Sequence, residues 1–103
     1  MSLHLGKILA TSRVSQASQA HSSFSGFIRH SLQRHLHHDW GDTSDSDTIS
    51  NDFALNEGGR IISVYLLPKI FKTLGSDRIW IITEAVGESG TRECTTVLFP
   101  SDY

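Results

Sequence analysis

The stretch Arg60-Ile61-Ile62-Ser63-Val64-Tyr65-Leu66-Leu67 is where apolar residues stop recurring every three or four positions and begin to alternate. Alternation puts successive side chains on opposite faces of an extended chain, and the β-branched and aromatic content suits a strand. Residues 78–85 (Arg-Ile-Trp-Ile-Ile-Thr-Glu-Ala) and 94–99 (Cys-Thr-Thr-Val-Leu-Phe) read the same way. Pro68 and Pro100 close the first and last of these strands, because proline lacks the N–H that a ladder needs. On the middle strand Trp80, Ile82 and Glu84 share one face, and Ile79, Ile81 and Thr83 the other. The links at 69–77, with room for one helical turn, and at 86–92, with Gly87 and Gly90, are short enough to join antiparallel neighbours. The expectation is an antiparallel β-meander over 60–67, 78–85 and 94–99. It has three strands, or four if Leu3, Leu5, Ile8 and Leu9 form another ahead of Thr11.

Upstream of Gly59 the period is helical. Val14, Ala17, Ala20, Phe24, Phe27, Ile28, Leu32 and Leu36 follow one another at steps of three and four, forming one apolar stripe behind a Thr11 or Ser12 cap. Ser22, Ser23, Ser25 and Gly26 are poor helix formers, so the stripe divides into two helices near 21–24. The second ends at His37, His38 and Asp39, before Gly41. Residues 41–51 read as a polar loop, in which Ser46 or Asp47 caps a short helix through Ile49, Phe53 and Ala54. Gly58 ends that helix in the left-handed conformation. The fold class is α+β: one domain over 1–103, with a helical region of about 12–58 packed on the sheet.

The chain has 103 residues and a net charge of −2, and that sum hides a division. The first 38 residues hold all six histidines, Lys7, Arg13, Arg29, Arg34 and no carboxylate, whereas the remainder is strongly acidic. The near-neutral total argues against a protein that binds nucleic acid through phosphate neutralisation, and against a DNA mimic with a strongly acidic surface. Hydrophobic content of 38% is too high for a disordered chain. The lone Cys94 has no internal disulfide partner, which suits the cytoplasm, and its apolar setting reads as core. No apolar run is long enough to span a bilayer, and no secretory signal is evident. The Ser-rich, acid-free N-terminal third has the composition of a transit peptide, but its regular apolar spacing favours a packed strand and helices.

Several residues bear on chemistry. His35, His37, His38 and Asp39 are metal or acid–base candidates, but no two histidines are four apart on a helix, so no metal site is expected and none of the residues implies a cofactor. Arg29 followed six positions later by His35 has the spacing of HEPN-type ribonucleases, in which arginine stabilises a phosphorane and histidine moves protons. His35 with Arg29 or Asp39 is therefore the weak catalytic candidate set. Asp42, Asp45, Asp47 and Asp52 fail as an EF-hand, since Ser50 stands where glycine is required and Asn56 where glutamate is. Asp39, Asp52, Arg60 and Glu84 are grouped as a structural polar network joining the turn to the sheet.

The order His38-Asp39-Trp40-Gly41-Asp42, then Asn51-Asp52, Gly58-Gly59-Arg60, Ile79-Trp80-Ile81-Ile82-Thr83-Glu84-Ala85 and Thr95-Thr96-Val97-Leu98-Phe99-Pro100-Ser101-Asp102-Tyr103 resembles a family of small proteins encoded on bacterial plasmids, phages and integrative elements, often labelled plasmid-related protein. The resemblance covers about 35–103. His38 stands where that pattern usually has glycine, and 68–76 and 86–93 are longer than usual. It implies a mobile-element context and no particular activity. The function expected is protein–protein binding by an accessory protein to a host- or element-encoded partner, a host defence nuclease of the CRISPR or restriction type being one such partner, with Trp40, Asp42, Asp45 and Asp47 as contacts. The alternatives are a phosphoryl-transfer nuclease on His35 and an antitoxin-like or regulatory homodimer pairing through an exposed edge strand.

Overall fold

The computed structural model describes residues 3–103. Strand β1 (Lys7–Ala10) leads into helices α1 (Ser12–Ala20), α2 (Ser22–Leu36) and α3 (Asp45–Glu57). Strand β2 (Ile61–Leu66), a 3-10 turn (Lys69–Leu74), β3 (Arg78–Thr83), β4 (Cys94–Leu98) and a second 3-10 turn (Pro100–Asp102) follow. Local chemistry sets the boundaries. Thr11 caps α1 by accepting from the Val14 N–H, and extended His21 separates α1 from α2. The α3 cap is Ser44, not Ser46 or Asp47. Its hydroxyl accepts from the Asp47 N–H, and this leaves Asp45 and Asp47 in the first turn, where carboxylates meet the helix's positive end. Gly58 ends α3 at φ 84°.

The sheet order is β1-β4-β3-β2, and it is mixed, which corrects the all-antiparallel expectation. Strands β2, β3 and β4 form the meander, but β1 runs parallel to β4. The helical crossover between β1 and β2 delivers β2 to the far edge pointing the same way as β1. Two hairpins then return β4 to β1 in that direction, so the two must be parallel. Among the described residues, no helix is long and apolar enough to cross a membrane.

Helices cover one face of the sheet. Val14, Phe24, Tyr65, Phe71, Ile79, Ile81, Val97 and Phe99 form the main core, with Phe24 edge-on to Phe71 at 5.3 Å and stacked on Phe99 at 6.0 Å. A second cluster of Leu3, Trp40, Ala54 and Ile61 lies under α3. On the opposite face Tyr103 packs edge-on against Trp80 and accepts from Arg60 Nη1 at 2.9 Å. Cys94 is half-buried and free rather than part of either core.

The outer edge of β2 is sealed by side chain and backbone together. The Asn51 amide pairs with Ile62 like a strand, donating to its carbonyl at 2.8 Å and accepting from its N–H at 3.1 Å. Next along, Val64 donates to the Trp40 carbonyl at 3.0 Å and accepts from the Asp42 N–H at 2.7 Å. Gly41 lies between these two bonds at φ 75°, and a Cβ there would stand 2.0 Å from the Val64 carbonyl oxygen. Gly41→Ala is therefore expected to cost about 3 kcal/mol or more in urea unfolding, through left-handed strain plus displacement of the seal. Asn51→Ala, which strands both Ile62 groups, is expected to cost about 2 kcal/mol.

Candidate functional site

His35 is fully buried against the sheet. Its Nδ1 lies 2.5 Å from Ser63 Oγ on β2, and its Nε2 lies 2.8 Å from Thr83 Oγ1 on β3. Thr83 Oγ1 is 2.7 Å from Thr95 Oγ1 on β4, and Thr95 donates to the Leu5 carbonyl at 2.7 Å. Proton counting fixes the direction of the chain. A carbonyl only accepts, so Thr95 spends its proton on Leu5 and Thr83 must donate to Thr95. Thr83 then accepts from His35 Nε2–H, and His35 Nδ1 accepts from Ser63. The imidazole is the neutral Nε2–H tautomer.

Burial, reinforced by the charges of Arg92 and His38, pushes the His35 pKa down to about 4. A group sealed from solvent and neutral at physiological pH does not serve as an acid–base catalyst for an external substrate. Arg29 is exposed on α2, so it shares no open surface with His35. Asp39 is also turned away: its exposed carboxylate is paired to Arg34 at 2.7 Å and accepts from the Gly41 N–H. The nuclease alternative thus lacks the open cleft it requires. Among the described residues, no three His, Cys, Asp or Glu side chains converge as metal ligands.

The turn at 37–42 carries architecture. His38 adopts φ 67°, the left-handed region in which glycine is unstrained, and its ring stacks 5.7 Å from Trp40. Trp40, expected as a surface contact, is only 4% exposed; the apolar indole packs in the second core cluster and its N–H is satisfied by Asp52 Oδ1 at 2.9 Å. The Asp39 carbonyl accepts from the Tyr65 hydroxyl at 2.6 Å, and burial pushes the Tyr65 pKa up to about 12. Asp39, Asp52, Arg60 and Glu84 are dispersed rather than joined. Asp39 holds Arg34, Asp52 holds Trp40, and Arg60 lies 3.8 Å from Glu84 at the surface. The buried polar network is instead Ser63, His35, Thr83 and Thr95.

Arg92, which nothing in the sequence pattern distinguishes, is 8% exposed and donates to the carbonyls of Ala54, Gly59 and Glu84. It caps the carboxyl end of α3 and ties that end to the chain entering β2 and the chain leaving β3.

Asp42, Asp45 and Asp47 are exposed, as a contact surface requires. Beside them the structure adds two residues of the short helix that the sequence reading did not single out as contacts. Asn51 and Ala54 face the protein, while Ile49 and Phe53, one turn apart, are 69% and 68% exposed. Residues 35–59 contain six carboxylates (Asp39, Asp42, Asp45, Asp47, Asp52 and Glu57) and no Lys or Arg. The outer face of α3 is an apolar pair in an acidic field. In the sequence, Asn51 two positions from each apolar residue marks only the opposite helix face; its bonds to Ile62 are what turn that face inward.

The His35 chain makes a signed prediction. The folded-state pKa lies below the unfolded value of about 6.5, so the stabilisation is full above pH 6.5 and is lost as pH falls towards 4. The loss is expected to be about 3 kcal/mol, near 1.4 kcal/mol per pH unit, in urea midpoints between pH 7.5 and 4. A flat profile would place His35 in water. Ser31 supplies a contrast, since its buried hydroxyl has no partner among the described residues. Ser31→Ala is expected to be neutral or to gain about 1 kcal/mol, whereas Ser63→Ala loses at least that much. No family model matches the chain, and neither a curated protein nor a solved structure shows detectable similarity to it.

Proposed function

We propose that the chain is a binding protein that acts by docking the outer face of α3 on another protein, in the mobile-element setting that its sequence resemblance implies. The observation that carries this reading is the exposure of Ile49 and Phe53 on the side of α3 opposite Asn51 and Ala54. Large apolar side chains left outward at i and i+4 gain nothing for the monomer, and they are the usual anchors by which a helix enters an apolar groove. Asp45, Asp47, Asp52 and Glu57 on the same helix set the partner's chemistry: an apolar groove rimmed by Lys and Arg. A defence nuclease, whose nucleic-acid channel is basic, is the partner class that combines this charge with the mobile-element setting.

The test pairs a phenotype with a surface variant. Cells carrying a restriction or CRISPR system should accept an incoming plasmid more efficiently when the protein is expressed. Ile49→Ser/Phe53→Ser should abolish that gain while leaving unfolding within about 0.5 kcal/mol of the parent, because both residues are solvent-facing. Asp45→Lys/Asp47→Lys should weaken it, and added salt should weaken complex formation by the parent protein. Full activity in the Ile49/Phe53 variant would refute docking through α3.

A further inference from the structure

The two edges of the sheet are treated differently. The β2 edge is sealed by Asn51 and by the backbone of Trp40 and Asp42, as described above. On β1, Lys7 donates to the Glu93 carbonyl at 2.9 Å and Thr11 to the Val97 carbonyl at 3.1 Å. Odd-numbered residues therefore point their N–H groups at β4, and alternation turns the N–H and C=O of Ile8 and Ala10 outward. Nothing among the described residues bonds to those outward groups, and all four residues of β1 are exposed.

We propose that this edge pairs antiparallel with the same edge of a second copy, across a two-fold axis at Leu9. The register is self-complementary. With Leu9 on the axis, Ile8 stands opposite Ala10 of the second copy, and the outward groups of both residues are satisfied by four backbone bonds. Leu9 then meets Leu9 in a non-hydrogen-bonded pair, where Cα atoms approach to about 4.5 Å and side chains touch. Leu9 is 42% exposed in the single chain and gains cover there. Charge agrees with this register: Lys7 falls opposite Thr11, so the two lysines of the basic, carboxylate-free N-terminal segment do not face each other. The product is one continuous eight-stranded sheet. Because α3 contacts β2, at the opposite edge of the sheet from β1, the dimer leaves the outer face of each α3 open and is independent of what they bind.

A four-residue strand makes a small interface, so the association is expected to be concentration-dependent. By light scattering, the mass should rise from the 11.4 kDa of one chain towards twice that value as concentration increases, and Leu9→Asp, which sets two carboxylates against each other on the axis, should remain monomeric with an unchanged circular dichroism spectrum. Cross-linking identifies the register. In a Cys94→Ser background, which removes the native thiol, Leu9→Cys should oxidise to a disulfide dimer about tenfold faster than Ile8→Cys or Ala10→Cys, because only a residue on the axis meets its own copy within bonding range. A mass of one chain at every concentration overturns the proposal. So do equal oxidation rates at the three positions, a fastest rate at residue 8 or 10, or an edge that is occupied only when a different chain is added.

Discussion

A one-directional run of hydrogen bonds, Ser63 to His35 to Thr83 to Thr95 to the Leu5 carbonyl, crosses the sheet beneath α2. It touches β2, β3, β4 and the segment entering β1, so those pieces share one constraint. A slip of one residue in any strand would turn its hydroxyl to the opposite face and leave a buried donor or acceptor unpaired. Apolar packing of Ile79, Ile81 and Val97 is far less selective, since isoleucine and valine fit many registers. The core supplies much of the stability, and the polar chain selects which arrangement is stable. The same logic makes the fold acid-sensitive. Protonated His35 must donate through both nitrogens, which reverses the Ser63 bond and buries a positive charge near Arg92.

Edge closure accounts for the residues around the turn. Asp39 gives its carbonyl to Tyr65, Trp40 and Asp42 give backbone to Val64, Gly41 admits the close approach, Asn51 pairs with Ile62, and Asp52 satisfies the Trp40 indole. These residues form a concentrated motif because one strand edge needs all of them together. A motif of this kind resembles a functional site in sequence, with aspartates, an asparagine, a tryptophan and a constrained glycine, yet most of its polar groups are already used within the fold. What the molecule offers outward lies elsewhere, on side chains that do no work for the monomer.

Elements governed by local chemistry were legible in the sequence. The three meander strands, the helical break near His21 and the Gly58 terminus follow from period, capping and backbone preference, which act within a few residues. The parallel placement of β1 was not legible, because it depends on where a crossover of some fifty residues delivers the next strand. The structural role of His35 is not legible in sequence because a lone histidine carries no sign of its partners; Ser63, Thr83 and Thr95 lie 28, 48 and 60 positions away. Their alternation with isoleucine and valine on the inward strand faces was visible, and hydroxyls at inward positions imply a polar partner from the covering helix. The outward turn of Ile49 and Phe53 was not legible either, because it follows from Asn51 meeting the β2 edge at Ile62, 11 positions away.

The charge division takes on a different meaning in three dimensions. Two ion pairs join the basic first third to the acidic remainder, Arg34 with Asp39 and Arg13 with Asp102. Arg34 and Arg13 are partly exposed, so neither pair contributes much to stability. Had the acidic segment been folded against the basic helices, its carboxylates would have found those partners. Instead Asp42, Asp45, Asp47, Asp52 and Glu57 form no salt bridge among the described residues. The near-neutral total is therefore an average over surfaces of opposite sign rather than a sign of internal neutralisation. An acidic, apolar-centred helix at one edge of the sheet and, at the other, a strand carrying Lys7 whose outer edge is unpaired give the molecule two chemically distinct faces. The strand's geometry suits its own copy, and the helix's charge suits a partner of opposite sign.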